Sequence, residues 1–328
     1  METEIKIYKH SSELPEIACG NYFHSDSLFR VYEQTSGHTP YMLTAEDAGG
    51  NIVAHLLAVV RQRGSWVPPY FFTQCRIYGE GEYDDSFDDN RRHELFDLMI
   101  SRLTKKIASK CLYVEISNIS EKMFGYKSLR ENGYFPVHWM EVHNSLHSMD
   151  PDERITDEKM TARLKKAIEN GVMTKVAETE EELKQYYKMC HAFYRSRLRR
   201  FSPPESFFES LWKDKENAKI LLTKYKDKII GGSTIVFSRG NAYLWYAAYR
   251  PKSYPRKYPS GVTVRYALKY CYEHNYSHLY FMDVGLPYHN NGLREFILSF
   301  GGKPVGTNRW FRCSIRWINK LLSWIWES

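Results

Sequence analysis

One order of patterned segments occurs twice in this chain, and that repetition restricts its fold more than any other feature. In the first half a helix is followed by three extended segments at 40–46, 52–62 and 69–78. Their apolar and aromatic residues are punctuated by turn residues such as Asp47-Ala48-Gly49-Gly50-Asn51. A helix at 91–109 carries Leu95, Leu98, Met99, Leu103 and Ile107 at helical spacing. A strand at 112–119, a short helix closed by Gly133 and a strand at 134–143 complete the series. Met149-Asp150-Pro151-Asp152-Glu153 breaks the pattern, and the series then restarts. Helices at 157–170 and 180–200 flank a strand at 172–178, and another helix covers 204–214. Strands at 218–225, 228–238 and 241–249 lead to a helix at 261–274, a strand at 277–284, a helix at 291–300 and a strand at 303–312. Strands in a meander, then a helix and a further strand, predict mixed sheets with helices packed on them. The expected class is α/β (α+β mixed sheets) in two domains, 1–150 and 151–328, with a single large mixed sheet as the alternative.

The bulk properties agree with a core-forming chain of two ordinary domains. There are 328 residues, 43% hydrophobic and 26% charged. A net charge of +7 suits a phosphate-bearing partner such as coenzyme A, a nucleotide-linked sugar, tRNA or an anionic membrane surface. With 46 basic residues against 39 acidic ones, the balance falls short of a dedicated nucleic-acid module. Six cysteines, at 19, 75, 111, 190, 271 and 313, show no CxxC and predict reduced thiols. The acidic start Met1-Glu2-Thr3-Glu4 is unlike a signal peptide, and no apolar run approaches the roughly 20 residues of a membrane span. A soluble cytoplasmic protein is expected.

Four blocks resemble the Fem-type peptidoglycan-bridge aminoacyltransferases and related tandem GNAT-like acyltransferases. They are the opening segment 21–56, the stretch from LKKAIENGV into TKVAETEEELKQYY (164–187), the meander IIGGSTIVFSRGNAYLWYAAY (229–249) and the ending YFMDVGLPYHNNGLREFILSFGG (280–302). The resemblance implies two tandem GNAT-like acyltransferase domains. It implies transfer of an acyl group from acyl-CoA or aminoacyl-tRNA, as co-substrate, to the amine of a cell-envelope or lipid-linked acceptor. No permanently bound cofactor is implied. Many relatives carry a lysine after the phenylalanine of the last helix, where this chain has Ile297 after Phe296. That departure keeps a second reading open, a degenerate tandem GNAT module that binds a ligand or partner without turnover.

Acyl transfer to an amine requires positioning, proton removal and oxyanion stabilisation, with no obligatory covalent nucleophile. Arg250, Arg256, Lys257, Ser260 and Gly261 lie between a strand and a helix, and the resemblance implies that this loop holds donor phosphate, with a basic solvated loop before a capped helix as the alternative. Ser260 is expected to cap the helix. Asp283, at a strand end before Gly285, and Tyr249 are the catalytic candidates. Alternation groups Asp283 with Phe281 and puts Tyr249 and Tyr246 on opposite faces. Tyr246, His289 and Arg294 are expected to bind substrate, with pairing to Asp283 an alternative role for Arg294. No metal site is expected: His274 and His278 lack the intervening glutamate of a metal-binding helix, and the acidic loop 80–89 lacks calcium-loop spacing. In residues 313–328, Ile315, Ile318, Leu322 and Ile325 share a helical face beside Trp317, Trp324 and Trp326. This pattern fits peripheral membrane contact or docking on protein.

Overall fold

The structure, a computed structural model, describes residues 3–64, 71–195 and 202–327. The expected element ends at 69–70 and 196–200 lie outside the described residues. The chain forms two compact units, 1–139 with 307–328 and 140–306.

In unit 1, strand β1 (Glu4–Tyr8) precedes the expected first helix, α1 (Asp26–Glu33), and pairs with β2 (His38–Glu46). Ser25 caps α1 by accepting from the Leu28 amide at 3.1 Å. Strands β2 and β3 (Ile52–Gly64) form a hairpin whose turn is fixed by Asp47 Oδ1, which accepts from the amides of Gly49 and Asn51. Strand β4 (Phe71–Tyr78) extends the antiparallel meander, and the short β5 (Glu82–Tyr83) pairs back onto β3. Helix α2 (Asp89–Ile107) buries Leu95, Phe96, Met99, Ile100, Leu103 and Ile107 against this sheet. Leu98, expected on that face, is exposed, and Phe96 and Ile100 complete the stripe instead. The crossover returns to β6 (Tyr113–Ser117), parallel to β4, followed by α3 (Tyr126–Glu131) and β7 (Phe135–Ser145).

Unit 2 repeats the order. Helix α4 (Glu158–Glu169), β8 (Val172–Val176), α5 (Glu180–Arg195) and α6 (Glu205–Lys213) lead to the meander β9 (Ala218–Tyr225), β10 (Lys228–Ser238) and β11 (Asn241–Tyr249). Helix α7 (Pro259–Glu273) crosses to β12 (His278–Phe281), parallel to β11, and α8 (Gly292–Leu298) leads to β13 (Lys303–Cys313). The Gly231-Gly232 pair of β10 permits close packing on both faces. A Cβ on Gly231 would meet Thr263 of α7 at 2.7 Å, and one on Gly232 would meet Tyr186 of α5 at 2.8 Å.

The last strand of each repeat is exchanged. Residues 310–313 of β13 pair with β6 in unit 1, whereas residues 142–145 of β7 pair with β12 in unit 2. Trp310 is fully buried in the unit 1 core. The chain therefore divides at 139/140 and again at 306/307, not once at 150/151. The break at 149–153 is not a linker, because Asp152 accepts from Arg265 and Asp150 pairs with Lys269 at 3.3 Å, both on α7. There are two units with separate cores, and β7 and β13 each contribute residues to both. Helix α9 (Arg316–Glu327) closes unit 1, held by Asn319, which donates to the Gly133 carbonyl at 2.9 Å and accepts from the Cys313 amide at 2.7 Å. Among the described residues no helix is long and apolar enough to cross a membrane.

Candidate functional site

Ligands of sheets with parallel strands gather beyond the carboxyl ends of those strands. Among the described residues unit 1 has the parallel pair β4–β6 and unit 2 the parallel pair β11–β12, and the two differ. In unit 1, β4 and β6 stay paired over five positions, from Gln74 opposite Tyr113 to Tyr78 opposite Ser117. One face of that pair is filled by buried polar groups. The Glu115 carboxylate accepts from Arg76, from Gln74 Nε2 at 2.7 Å and from Arg309 at 3.3 Å. Burial pushes the Glu115 carboxyl up, but the Arg76 and Arg309 guanidinium groups outweigh it and hold the carboxyl at about 2.

In unit 2, β11 and β12 pair over only three positions, from Ala242 opposite Leu279 to Leu244 opposite Phe281. Strand β12 then ends, while β11 runs on to Tyr249. The register of β10 shifts at this level, so that Trp245 is the extra residue of a bulge. Beyond it the Ala247 main chain no longer has a strand partner in β12. The Tyr194 hydroxyl of α5 satisfies it, accepting from the Ala247 amide at 3.1 Å and donating to its carbonyl at 2.9 Å. The parallel pair of unit 2 thus opens toward its carboxyl end, whereas that of unit 1 stays closed.

Most of the expected residues lie at or after the carboxyl ends of β11 and β12. Tyr249 and Arg250 end β11, residues 250–261 lead into α7, and Asp283, His289 and Arg294 follow β12. Several details differ from expectation. Strand β12 stops at Phe281, two residues short of Asp283, so the strand alternation does not reach it, and Asp283 is half-buried between the buried Met282 and Val284. Met140 sets this irregular path by accepting from the Val284 amide at 3.3 Å and donating to the Gly285 carbonyl at 2.9 Å. Ser260 is not the cap of α7. The helix begins at Pro259, whose fixed φ suits a first helical position, and Tyr258 precedes it in the left-handed region. Gly261 is required for a different reason: a Cβ there would collide with the Tyr258 ring, which folds over the first turn with the Arg163 guanidinium 4.0 Å from its centroid. Lys257 lies 3.9 Å over the Tyr225 ring, while Arg250 and Arg256 are exposed.

Arg294 is buried and donates to the carbonyls of Leu286 and His289, each at 2.8 Å, so it shapes the 286–289 loop. His289 itself is exposed. Tyr246 is buried among Phe207, Phe208 and Tyr194, with ring centroids 5.6–6.2 Å away, on the face opposite Tyr249. Arg294 therefore fixes its own loop, and Tyr246 packs against α5 and α6. Ile297 lies in the unit 2 core.

Sequence reasoning missed a pair on β7. Glu141, buried, and His143 lie on one face of the strand, with Nε2 of His143 3.1 Å from Glu141 Oε2. His143 is opposite Tyr280 in register, and their rings meet edge-on at 4.3 Å. Burial and the Glu141 charge both push the Tyr280 hydroxyl's pKa up. The signal was the i, i+2 spacing of Glu141 and His143 within an expected strand.

Comparisons with known proteins bear on the fold. Residues 156–290, within unit 2, match the family model described as an acetyltransferase (GNAT) domain. No curated protein matches the sequence. Among solved structures, FemX is similar at TM-score 0.64 and 12% identity, covering 98% of this chain and 100% of FemX. A tandem GNAT protein from the clavulanic acid biosynthesis pathway aligns at 0.58 and 9%, covering 95% and 99%. L-PGS from Bacillus licheniformis aligns at 0.57 and 15%, covering 90% and 91%.

Proposed function

We propose that the chain, which has the tandem GNAT-like acyltransferase fold, is an N-acyl- or aminoacyltransferase whose donor enters the opening between β11 and β12. The observation that carries this reading is the divergence of these two parallel strands at the Trp245 bulge, inside the segment that matches the acetyltransferase domain. The donor is acyl-CoA or aminoacyl-tRNA, a co-substrate released after each turnover. Arg250, Arg256 and Lys257, with the first turn of α7 at Ser260 and Gly261, attract its phosphates. The acceptor amine attacks the donor carbonyl carbon, a C–N bond forms, and the thiol or the tRNA hydroxyl leaves. Asp283 takes the amine's proton, which passes on to the departing sulfur or ribose oxygen, with Tyr249 at the end of the neighbouring strand, and His289 serves the acceptor from the loop that Arg294 shapes.

The acceptor belongs to a cell-envelope or lipid-linked precursor met at the cytoplasmic face of the membrane. Helix α9 supports this placement: Trp317 and Trp324 are 68% and 69% exposed beside Arg316 and Lys320, and indole rings next to cations suit a headgroup region.

Two observations favour a second reading, a module that binds without turnover. The Tyr194 hydroxyl occupies the free main chain of Ala247, and the Tyr258 ring covers the first turn of α7. One experiment separates the readings. The purified chain is incubated with pooled acyl-CoA thioesters, charged tRNA and amine acceptors, and binding is read by melting temperature and product by mass. Catalysis predicts an acylated amine whose formation Asp283→Asn suppresses. Donor binding without product from any pool supports the binding module, and neither binding nor product contradicts both.

A further inference from the structure

Three side chains from separate pieces of unit 1 converge far in sequence from the strand ends discussed above. Cys19 lies in the irregular segment before α1, His55 on β3 and Glu82 on β5. His55 and Glu82 are direct cross-strand partners, so their side chains leave the same face. The close approach of the two strands depends on Gly81, at φ +99°, where a Cβ would sit 2.7 Å from the His55 carbonyl oxygen. His55 is buried, and Cys19 and Glu82 are half-buried.

The distances are those of a shared centre. Cys19 Sγ is 3.4 Å from His55 Nε2, and Glu82 Oε2 is 3.5 Å from that same nitrogen. All three ligand atoms lie within 4.8 Å of one another. In a thiol–imidazole–carboxylate relay the thiol and the carboxylate sit on opposite ring nitrogens. Here both face Nε2, and one N–H cannot be aimed well at two acceptors. A metal ion between the three atoms satisfies them together. Tetrahedral zinc, with Zn–S about 2.3 Å, Zn–N about 2.05 Å and Zn–O about 2.1 Å, sets S···N near 3.6 Å and N···O near 3.4 Å. The observed edges of 3.4 and 3.5 Å match within about 0.2 Å. A thiolate with an imidazole selects a borderline-soft ion over magnesium or calcium.

We propose that Cys19, His55 and Glu82 bind zinc, with a fourth position left for water, and that the ion fastens the irregular segment around Cys19 to β3 and β5. Binding exchanges the Cys19 thiol proton, now donated to the Asn21 carbonyl at 3.0 Å, for the metal.

The test uses the full chain, stripped with a chelator and checked for folding by circular dichroism. Zinc is titrated against a chromophoric competitor, and cobalt(II) serves as the spectroscopic probe. We expect one tight zinc equivalent per chain, a raised melting temperature, and a thiolate-to-cobalt charge-transfer band that Cys19→Ser abolishes. Glu82→Gln should weaken zinc by more than the roughly 10–100-fold typical of losing an outer partner of a ligand. Both residues are half-buried, so these variants spare the buried His55. If a variant fails to fold, carboxymethylation of Cys19 in the folded chain, mapped by mass spectrometry, should be blocked by zinc. The proposal is overturned if the folded chain takes up no zinc, if zinc binding persists undiminished in Cys19→Ser, or if zinc leaves Cys19 modification unchanged.

Discussion

Glu115→Gln tests the claim that the C-terminal strand is built into unit 1. The carboxylate of Glu115, on β6, is held by Arg76 from β4 and by Arg309 from β13. Replacing it by an amide of similar size leaves two guanidinium groups buried without their counter-charge. Breaking a buried pair in this way costs about 3–5 kcal/mol. The titration argument gives the same order. With the carboxyl held at about 2 against an ordinary 4.5, roughly 1.36 kcal/mol per pH unit amounts to about 3 kcal/mol. Because the folded value is depressed, this stability is fully present above pH 4.5 and is lost as pH falls toward about 2. A single unfolding free energy is not defined for a chain of two units, so the assay is native-state hydrogen exchange read on the amides of β6 and β13. At pH 7 the variant should lower the opening free energy of both strands together by about 3–5 kcal/mol. The wild type should lose its advantage between about pH 4.5 and pH 2. A loss under about 1 kcal/mol, or a loss on β6 that leaves β13 protected, would refute the reasoning.

Three further outcomes are expected. Asp283→Asn should cut kcat by roughly 10²–10⁴-fold with little change in melting temperature, and a lower melting temperature with kcat within a few-fold would make Asp283 structural. The double change Arg256→Ala with Lys257→Ala should weaken donor binding more at low than at high salt, since exposed charges are screened, and unchanged low-salt affinity would remove the loop from the donor site. Trp317→Ser with Trp324→Ser should reduce co-sedimentation with anionic vesicles while leaving melting temperature nearly unchanged, because both rings are exposed; equal sedimentation would show that α9 does not face lipid.

The periodic elements were legible because apolar spacing reports local structure directly. The meanders, the crossover helices α2 and α7 and the glycine-ended short helices all follow the sequence pattern. Strand β1 was missed because five residues of alternation at the chain start carry little signal against an expected helix. The exchange of β7 and β13 was out of reach for a different reason: the partner of a strand is a long-range choice, here decided by burial of Trp310 and by the arginine–carboxylate cluster at Glu115. At the site, the placement of the loop residues after β11 and β12 followed from topology, but their local conformations did not. Pro259 displaced Ser260 as the helix start, and β12 ends at Phe281, two residues before Asp283. The trio of Cys19, His55 and Glu82 has no motif spacing, since one ligand comes from an irregular segment and two from strands.

The central claim, that donor binds where β11 and β12 diverge, is tested most directly by hydrogen exchange with and without a hydrolysis-resistant acyl donor. Acyl-CoA and aminoacyl-tRNA mimics would be tried in turn. The account predicts that the effective donor slows exchange at 245–250 and 282–285 in unit 2 and leaves 74–78 and 113–117 in unit 1 unchanged. Protection confined to the unit 1 strands, or acyl transfer with no protection at 245–250, would contradict it.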